Sequence, residues 1–348
     1  MSFSCVRRAS VAAVSLTALT VVVAACSSSS SSTASSSAKS STASSASSSP
    51  SSSAAASSSA SGSSAATTNV VVGSLPVIDT AGLQVAIKEG YFKQAGLNVT
   101  VKTVTQSTAA IPDLLHGSID VIGGGNYVSF LEAQANGTFP VEFLAPAVDC
   151  SANSYGVVAM PSSGIAKPSD LAGKTVAVNL TQNIQTLTTD AALKAAKVGA
   201  VKYVQVPFPD MVSALKAGRV NAISAVEPFL AGALAAGGKL VTSTCAGPVA
   251  DFPLSGYITT QTWAQQHPAA AKAFQQALEK GNAYANAHPD VVRSVLPTYT
   301  SMTAKAAATV PLGTYPATID ASLLQRVATL MTGGGLKAPS DMSSLVLS

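Results

Sequence analysis

The chain has 348 residues, more than one typical domain, which leaves room for two lobes beside a targeting segment and a linker. Only 10 % of the residues are charged and the formal net charge is +4, with no block of Lys or Arg able to track a phosphate backbone. Nucleic acid is therefore excluded as a partner.

At the N-terminus, Arg7 and Arg8 precede an apolar run from Val11 to Ala25 that ends in small residues before Cys26. This order reads as a signal peptide over 1–25. Ser15, Thr17 and Thr20 interrupt the run, so a permanent transmembrane helix, which needs about 20 strongly apolar residues, is the weaker reading. Val23-Ala24-Ala25-Cys26 resembles a bacterial lipobox, which would make Cys26 the lipidated N-terminus; ordinary cleavage with an unmodified Cys26 is the alternative. Ser27 to Ser64 is almost only Ser and Ala with Lys39 as its sole charge, so 26–68 is predicted as a disordered tether that would hold a folded domain near a membrane. Loss of the signal removes two arginines and no acid, taking the net charge from +4 to +2. Cys5 leaves with it, and Cys150 and Cys245 remain. Two cysteines in an exported domain point to one disulfide, with two separate buried thiols as the alternative.

From Asn69 onward, short β-branched runs alternate with helical stretches, the pattern of α/β architecture with mainly parallel sheets. Strand Val70–Gly73 leads to helix Ala81–Lys88, which Gly90 stops. Asn98–Val104 alternates as a strand, followed by helix Ile111–Leu115 and strand Ile119–Ile122, which Gly123-Gly124-Gly125 is expected to end. A helix from Asn126 or Tyr127 to Ala135 and strand Val141–Ala145 complete the first part. Tyr155–Met160 reads as the crossover strand, followed by strand Lys174–Asn179, helix Ile184–Ala196, strand Val201–Val206, helix Asp210–Ala217 and strand Val220–Ala225. Helix Phe229–Ala236 and strand Lys239–Thr242 follow Glu227-Pro228. Beyond Asp251 come strand Tyr257–Thr260 and mostly helices: Trp263–His267, Pro268–Ala287, Pro289–Leu296 and Ala317–Met331. The predicted parts are 69–155 for the first portion of lobe one, 156–250 for lobe two, and 251–348 for a mainly helical completion of lobe one. Two crossovers between lobes suit a hinged clamshell.

Several stretches in order carry a resemblance: Ala86 to Phe92 with Gly96 to Val99; His116 to Asp120; Asp170 to Val178; and Ala214 to Ala222 followed by Glu227-Pro228-Phe229. Together they resemble the nitrate-, sulfonate- and taurine-binding proteins of ABC importers, with relatives tied to thiamine pyrimidine precursors. The resemblance implies an α/β fold of the periplasmic-binding-protein type II class: a two-lobe clamshell of mixed, mainly parallel sheets with two crossovers. It implies a monomeric, lipid-anchored protein at the extracytoplasmic face of the cell membrane, with a small-molecule ligand and ABC permease and ATPase subunits as partners. The glycine triplet lacks the lysine of a phosphate-binding loop and the spacing of a dinucleotide fingerprint, and is read as a close approach of backbone to ligand or partner strand.

Ligands of open parallel sheets sit beyond the carboxyl ends of strands, which singles out three loops. Asp79 and Thr80 stand at the first, as helix caps or ligand contacts. Asn126 and Tyr127 offer an amide and a phenol at the second. Asn179, Thr181, Gln182 and Asn183 form a polar turn at the third, and the corresponding turn in sulfonate-binding relatives contacts the anionic head. Glu227 either faces the cleft or caps the next helix. If Glu227 and Asp79 both lined the cleft, they would repel a sulfonate and favour an amine, amide or hydroxyl-bearing ligand. His116, His267 and His288 form no cluster with metal-ligand spacing, and no serine elbow accompanies a base, so neither an enzyme nor a cofactor or metal is expected. The expected function is capture of a sulfonate-, taurine- or nitrate-like ligand by hinge closure; a pyrimidine or other heterocycle, or a surface lipoprotein that binds another protein, are the alternatives.

Overall fold

The computed structural model describes residues 67–348, so the expected signal peptide, Cys26 and most of the Ser/Ala tether lie outside the described residues. Ten strands form two five-stranded sheets. The first contains β1 (Thr68–Ser74), β2 (Leu97–Thr103), β3 (Val121–Asn126), β4 (Val141–Asp149) and β10 (Pro253–Thr260) in the order β2-β1-β3-β10-β4. The second contains β5 (Tyr155–Ala159), β6 (Thr175–Val178), β7 (Lys202–Gln205), β8 (Ala222–Val226) and β9 (Lys239–Ser243) in the order β7-β6-β8-β5-β9. Each sheet has one antiparallel strand, β10 or β5, inserted among four mutually parallel ones, between the outer β4 or β9 and the other three. The chain passes from the first sheet to the second through 150–154 and returns through 244–252. This is the expected mixed α/β fold with two crossovers.

β3, β8 and β5 are buried at every residue, because helices cover the faces of both sheets. Helix Ala81–Lys88 buries Ala81, Leu83, Val85 and Ala86 and lies against helix Pro268–Ala287. The two helices approach closely because the contact is made of small residues: a Cβ on Gly281 would stand 2.6 Å from the Ala86 Cβ and 2.8 Å from the Gly82 carbonyl oxygen.

Most element boundaries agree with the sequence within two or three residues, and the exceptions have physical causes. The glycine triplet does not end β3 but lies inside it, since β10 packs against it so tightly that a Cβ on Gly125 would stand 2.5 Å from Ile258 Cδ1. The partner strand, one of the two alternatives, accounts for Gly123 and Gly125, beside which Tyr257 and Ile258 leave little room for a Cβ. Gly124 is the extra residue of a bulge: Gly125 pairs with Gly256 and Gly123 with Tyr257, and Gly124 has φ +73°. β4 runs on to Asp149 because β10 pairs along its length. Helix Ala321–Gly333 starts later than expected, where Asp320 caps it by accepting from Ser322 N at 2.8 Å.

Cys150 closes β4 and Cys245 follows β9, so the two cysteines meet where the chain crosses between sheets, bonded with Cα atoms 5.2 Å apart. Cys150 N donates to Phe252 O at 2.8 Å and Thr244 N to Tyr155 O at 3.1 Å, so the crossings run side by side. The bridge spans 95 residues of sequence. Replacing both cysteines by serine is expected to lower stability by about 2–4 kcal/mol in denaturant unfolding, because it frees the loop-closure entropy of the unfolded chain. An unchanged midpoint in the double variant would show that the bridge is not formed in solution. Gly124→Ala should cost about 1–2 kcal/mol in the same assay, as a Cβ there meets both a left-handed φ and Thr80 Cγ2 at 3.0 Å.

Candidate functional site

A small buried cavity of about 40 Å³ lies between the two sheets. Its walls come from the carboxyl ends of strands on both sides. Leu75, Val77 and Asp79 follow β1, Ser107 follows β2, and Gly124 and Asn126 end β3. Opposite them, Asn179, Asn183, Ile184 and Gln185 follow β6, Phe208 follows β7, and Val226 ends β8. Tyr155, the first residue of β5, completes the wall beside the crossings.

Asp79 is its only carboxylic acid, and it sits on the turn Ile78–Thr80. Tyr155 donates its hydroxyl to Asp79 Oδ1, and Ser255 Oγ donates to Oδ2 at 2.7 Å. Burial raises the Asp79 carboxyl above its ordinary range, and these two bonds only partly oppose it. Burial together with the Asp79 charge raises the Tyr155 phenol well above its usual value, so it remains a donor. On the opposite wall Asn179 Oδ1 is buried without a hydrogen-bond partner. An unpaired buried amide oxygen costs free energy unless something donates to it.

Two of the helix starts that face the cavity are capped by their own side chains. Asn126 Oδ1 accepts from Ser129 N at 2.9 Å and its amide reaches Ser107 Oγ at 3.4 Å. Asn183 Oδ1 accepts from Gln185 N at 3.1 Å and Thr186 N at 3.2 Å. Gln185 is held between Asn179 N, whose proton its Oε1 accepts at 2.7 Å, and Ser224 O, to which its Nε2 donates at 2.7 Å. Two further bonds join the sides: Gln106 Nε2 to Asn179 O at 2.9 Å and Ile78 N to Glu227 O at 3.1 Å.

Of the residues singled out in the sequence, Asp79, Asn126, Asn179 and Asn183 line this cavity. Thr80 does not: its buried hydroxyl donates to Leu75 O and Val77 O. Tyr127 points instead into the core of the first sheet, its ring centroid 5.2 Å from that of Phe143. Thr181 and Gln182 are exposed and line grooves outside the cavity, Gln182 at φ +53°. Glu227 lies buried behind the wall and serves as a cap, its Oε2 accepting from Ala231 N at 3.0 Å. Sequence reasoning missed Ser107, Tyr155 and Gln185. Gln185 carried a signal: 185, 186, 188 and 189 are all polar, leaving the helix without a clean apolar stripe. The described residues contain no group of three or more His, Cys, Asp or Glu able to hold a metal ion, and no helix long and apolar enough to cross a membrane.

Buried carboxyls give the folded chain a defined pH response. Burial, followed by the neighbouring Asp251 charge, pushes Asp149 up to about 7 against the pull of Arg326; burial likewise pushes Glu227 up to about 7. A carboxyl that binds its proton more tightly in the folded state contributes stability at acid pH and loses it as pH rises from about 4 through the folded value. The melting temperature is therefore expected to be higher at about pH 5 than at about pH 8, and Glu227→Gln should reduce the difference. A melting temperature that rises over that interval in the parent protein would contradict this account.

Solved structures that share the fold include binding components of import systems and a desulfurization enzyme, DSZB. The ligand-binding component of an ABC-type import system from Staphylococcus aureus, with zinc bound, superposes with a TM-score of 0.68 at 18 % identity, covering 80 % of this chain and 96 % of that one. The alkanesulfonate-binding protein SsuA from Xanthomonas axonopodis pv. citri, bound to MOPS, gives 0.67 at 15 % identity, covering 80 % and 97 %. The nitrate-binding protein NrtA from Synechocystis PCC 6803 gives 0.65 at 15 % identity, covering 80 % and 84 %. At these identities the likeness is one of fold. No curated protein matches the chain. The family described as NMT1/THI5 like matches residues 77–291, more than half of the sequence, and the chain belongs to that family.

Proposed function

We propose that the protein is the extracytoplasmic solute-binding component of an ABC importer and that it closes two hinged lobes around a small molecule. The observation that carries this reading is the position of the buried cavity, walled by strand ends of both sheets, which only two chain crossings connect. A ligand that touches both walls stabilises the closed arrangement by contacts that the open one lacks. The hinge comprises the paired crossings, and the lobes are 69–155 with 251–348, and 156–250. Gln106 to Asn179 is then a latch that breaks on opening, whereas Asp79 to Tyr155 lies beside the pivot. Cleavage after residue 25, a lipid on Cys26 and the Ser/Ala tether would keep the monomer near its permease and ATPase. The chain acts as a binder rather than an enzyme in this reading, although the fold itself is compatible with either.

A screen of the purified protein against sulfonates, taurine, nitrate, pyrimidines and amines tests this. At least one compound should raise the melting temperature saturably and leave unchanged, and the same compound should reduce the radius of gyration in small-angle scattering. Stabilisation without compaction would remove the hinge, and turnover of the compound would replace binding by catalysis.

A further inference from the structure

We infer that the buried cavity selects a compact solute presenting N–H donors, as in an ammonium, amidinium or amide group, and rejects a sulfonate or nitrate head. The inference rests on the solute-binding reading and specifies its ligand.

Three independent features of the cavity point the same way. Its walls hold one carboxylic acid, Asp79, and no Lys, Arg or His. An oxyanion closed between these walls would lie beside a buried acid with no cation to offset it, whereas an N–H donor would meet an acceptor. Second, Asn179, whose Oδ1 is a buried acceptor without a partner, lines the wall contributed by the other sheet. A ligand donating to both Asp79 and Asn179 would satisfy the orphan and bridge the two sides. Third, two of the helix starts at the cavity, where backbone donors would hold an anion, are occupied: Asn183 takes Gln185 N and Thr186 N, and Asn126 takes Ser129 N; at the start beginning with Phe208, Pro209 has no N–H to offer. The remaining walls, Leu75, Val77, Ile184, Phe208 and Val226, are apolar and would cover a small hydrocarbon part. The volume of about 40 Å³ accommodates only a compact group in this closed arrangement.

The test compares two probe sets by isothermal calorimetry and thermal shift at constant ionic strength: guanidinium, ethylammonium, urea and cytosine against nitrate, methanesulfonate and taurine. At least one N–H donor without an anionic head should bind saturably, and nitrate and methanesulfonate should not. Asp79→Asn and Asn179→Leu should each weaken the bound probe roughly tenfold to hundredfold, the loss expected for a hydrogen bond to a buried or charged partner. Should Asp79→Asn unfold the protein, as circular dichroism would reveal, Asn179→Leu carries the test alone, since its side-chain oxygen supports no other group. Saturable nitrate or methanesulfonate binding, or N–H donor binding that neither substitution weakens, would overturn the inference while leaving the solute-binding function intact. No saturable binding by either set would overturn both.

Discussion

The carboxyl of Asp79 joins three parts of the chain that are far apart in sequence. It lies on the turn after β1, accepts from Tyr155 immediately after the first crossing, and accepts from Ser255 soon after the second. One buried acid thus holds the place where both sheets and both connections meet. Burying a carboxyl is costly, and two hydroxyl donors reduce that cost without supplying a counter-charge. The rest of the site follows from this constraint, because the strand ends must converge closely enough to exclude water from Asp79 and thereby form the cavity it lines.

The disulfide lies a few residues from the same junction. Cys150 and Cys245 bind the outgoing and returning connections to each other, and main-chain bonds continue the pairing on both sides. A paired connection twists as a unit more readily than it spreads, so the hinge motion proposed above would be a rotation of one half about the junction. Interactions near that axis, such as Tyr155 with Asp79, change little in such a rotation. Those farther out, such as Gln106 with the Asn179 carbonyl, would break. In the hinged reading proposed above, Asp79 would lie near the axis and Asn179 on the wall that moves.

Membership of a family and likeness of fold do not decide what the cleft accepts. Sites on one fold differ in charge and capping, and here the wall carries one carboxylic acid and no basic side chain. Two helix starts at the cavity are closed by asparagines, a use of Asn126 and Asn183 that also stabilises the helices themselves. Capping and ligand recognition were competing readings for these residues, and the geometry shows capping in both while leaving them at the cavity wall. Asn179 has no such employment, which distinguishes it from its neighbours.

The sequence by itself determined the order and kind of nearly all elements and pointed to the pairing of Cys150 with Cys245. These are local matters: strand alternation, helix periodicity and glycine stops act over a few residues, and the loops at strand ends could be named from that order alone. Tertiary structure decided which polar side chains in those loops face the cavity. Asp79 depends on Tyr155 and Ser255, which stand 76 and 176 positions away. Tyr127 was drawn into the core by Phe143, and Glu227 behind the wall by the helix it caps. The glycines of β3 were legible as a close approach, but only the packing of β10 identified what approaches them. Side-chain direction at a strand end depends on partners contributed by distant segments, and no local pattern records them.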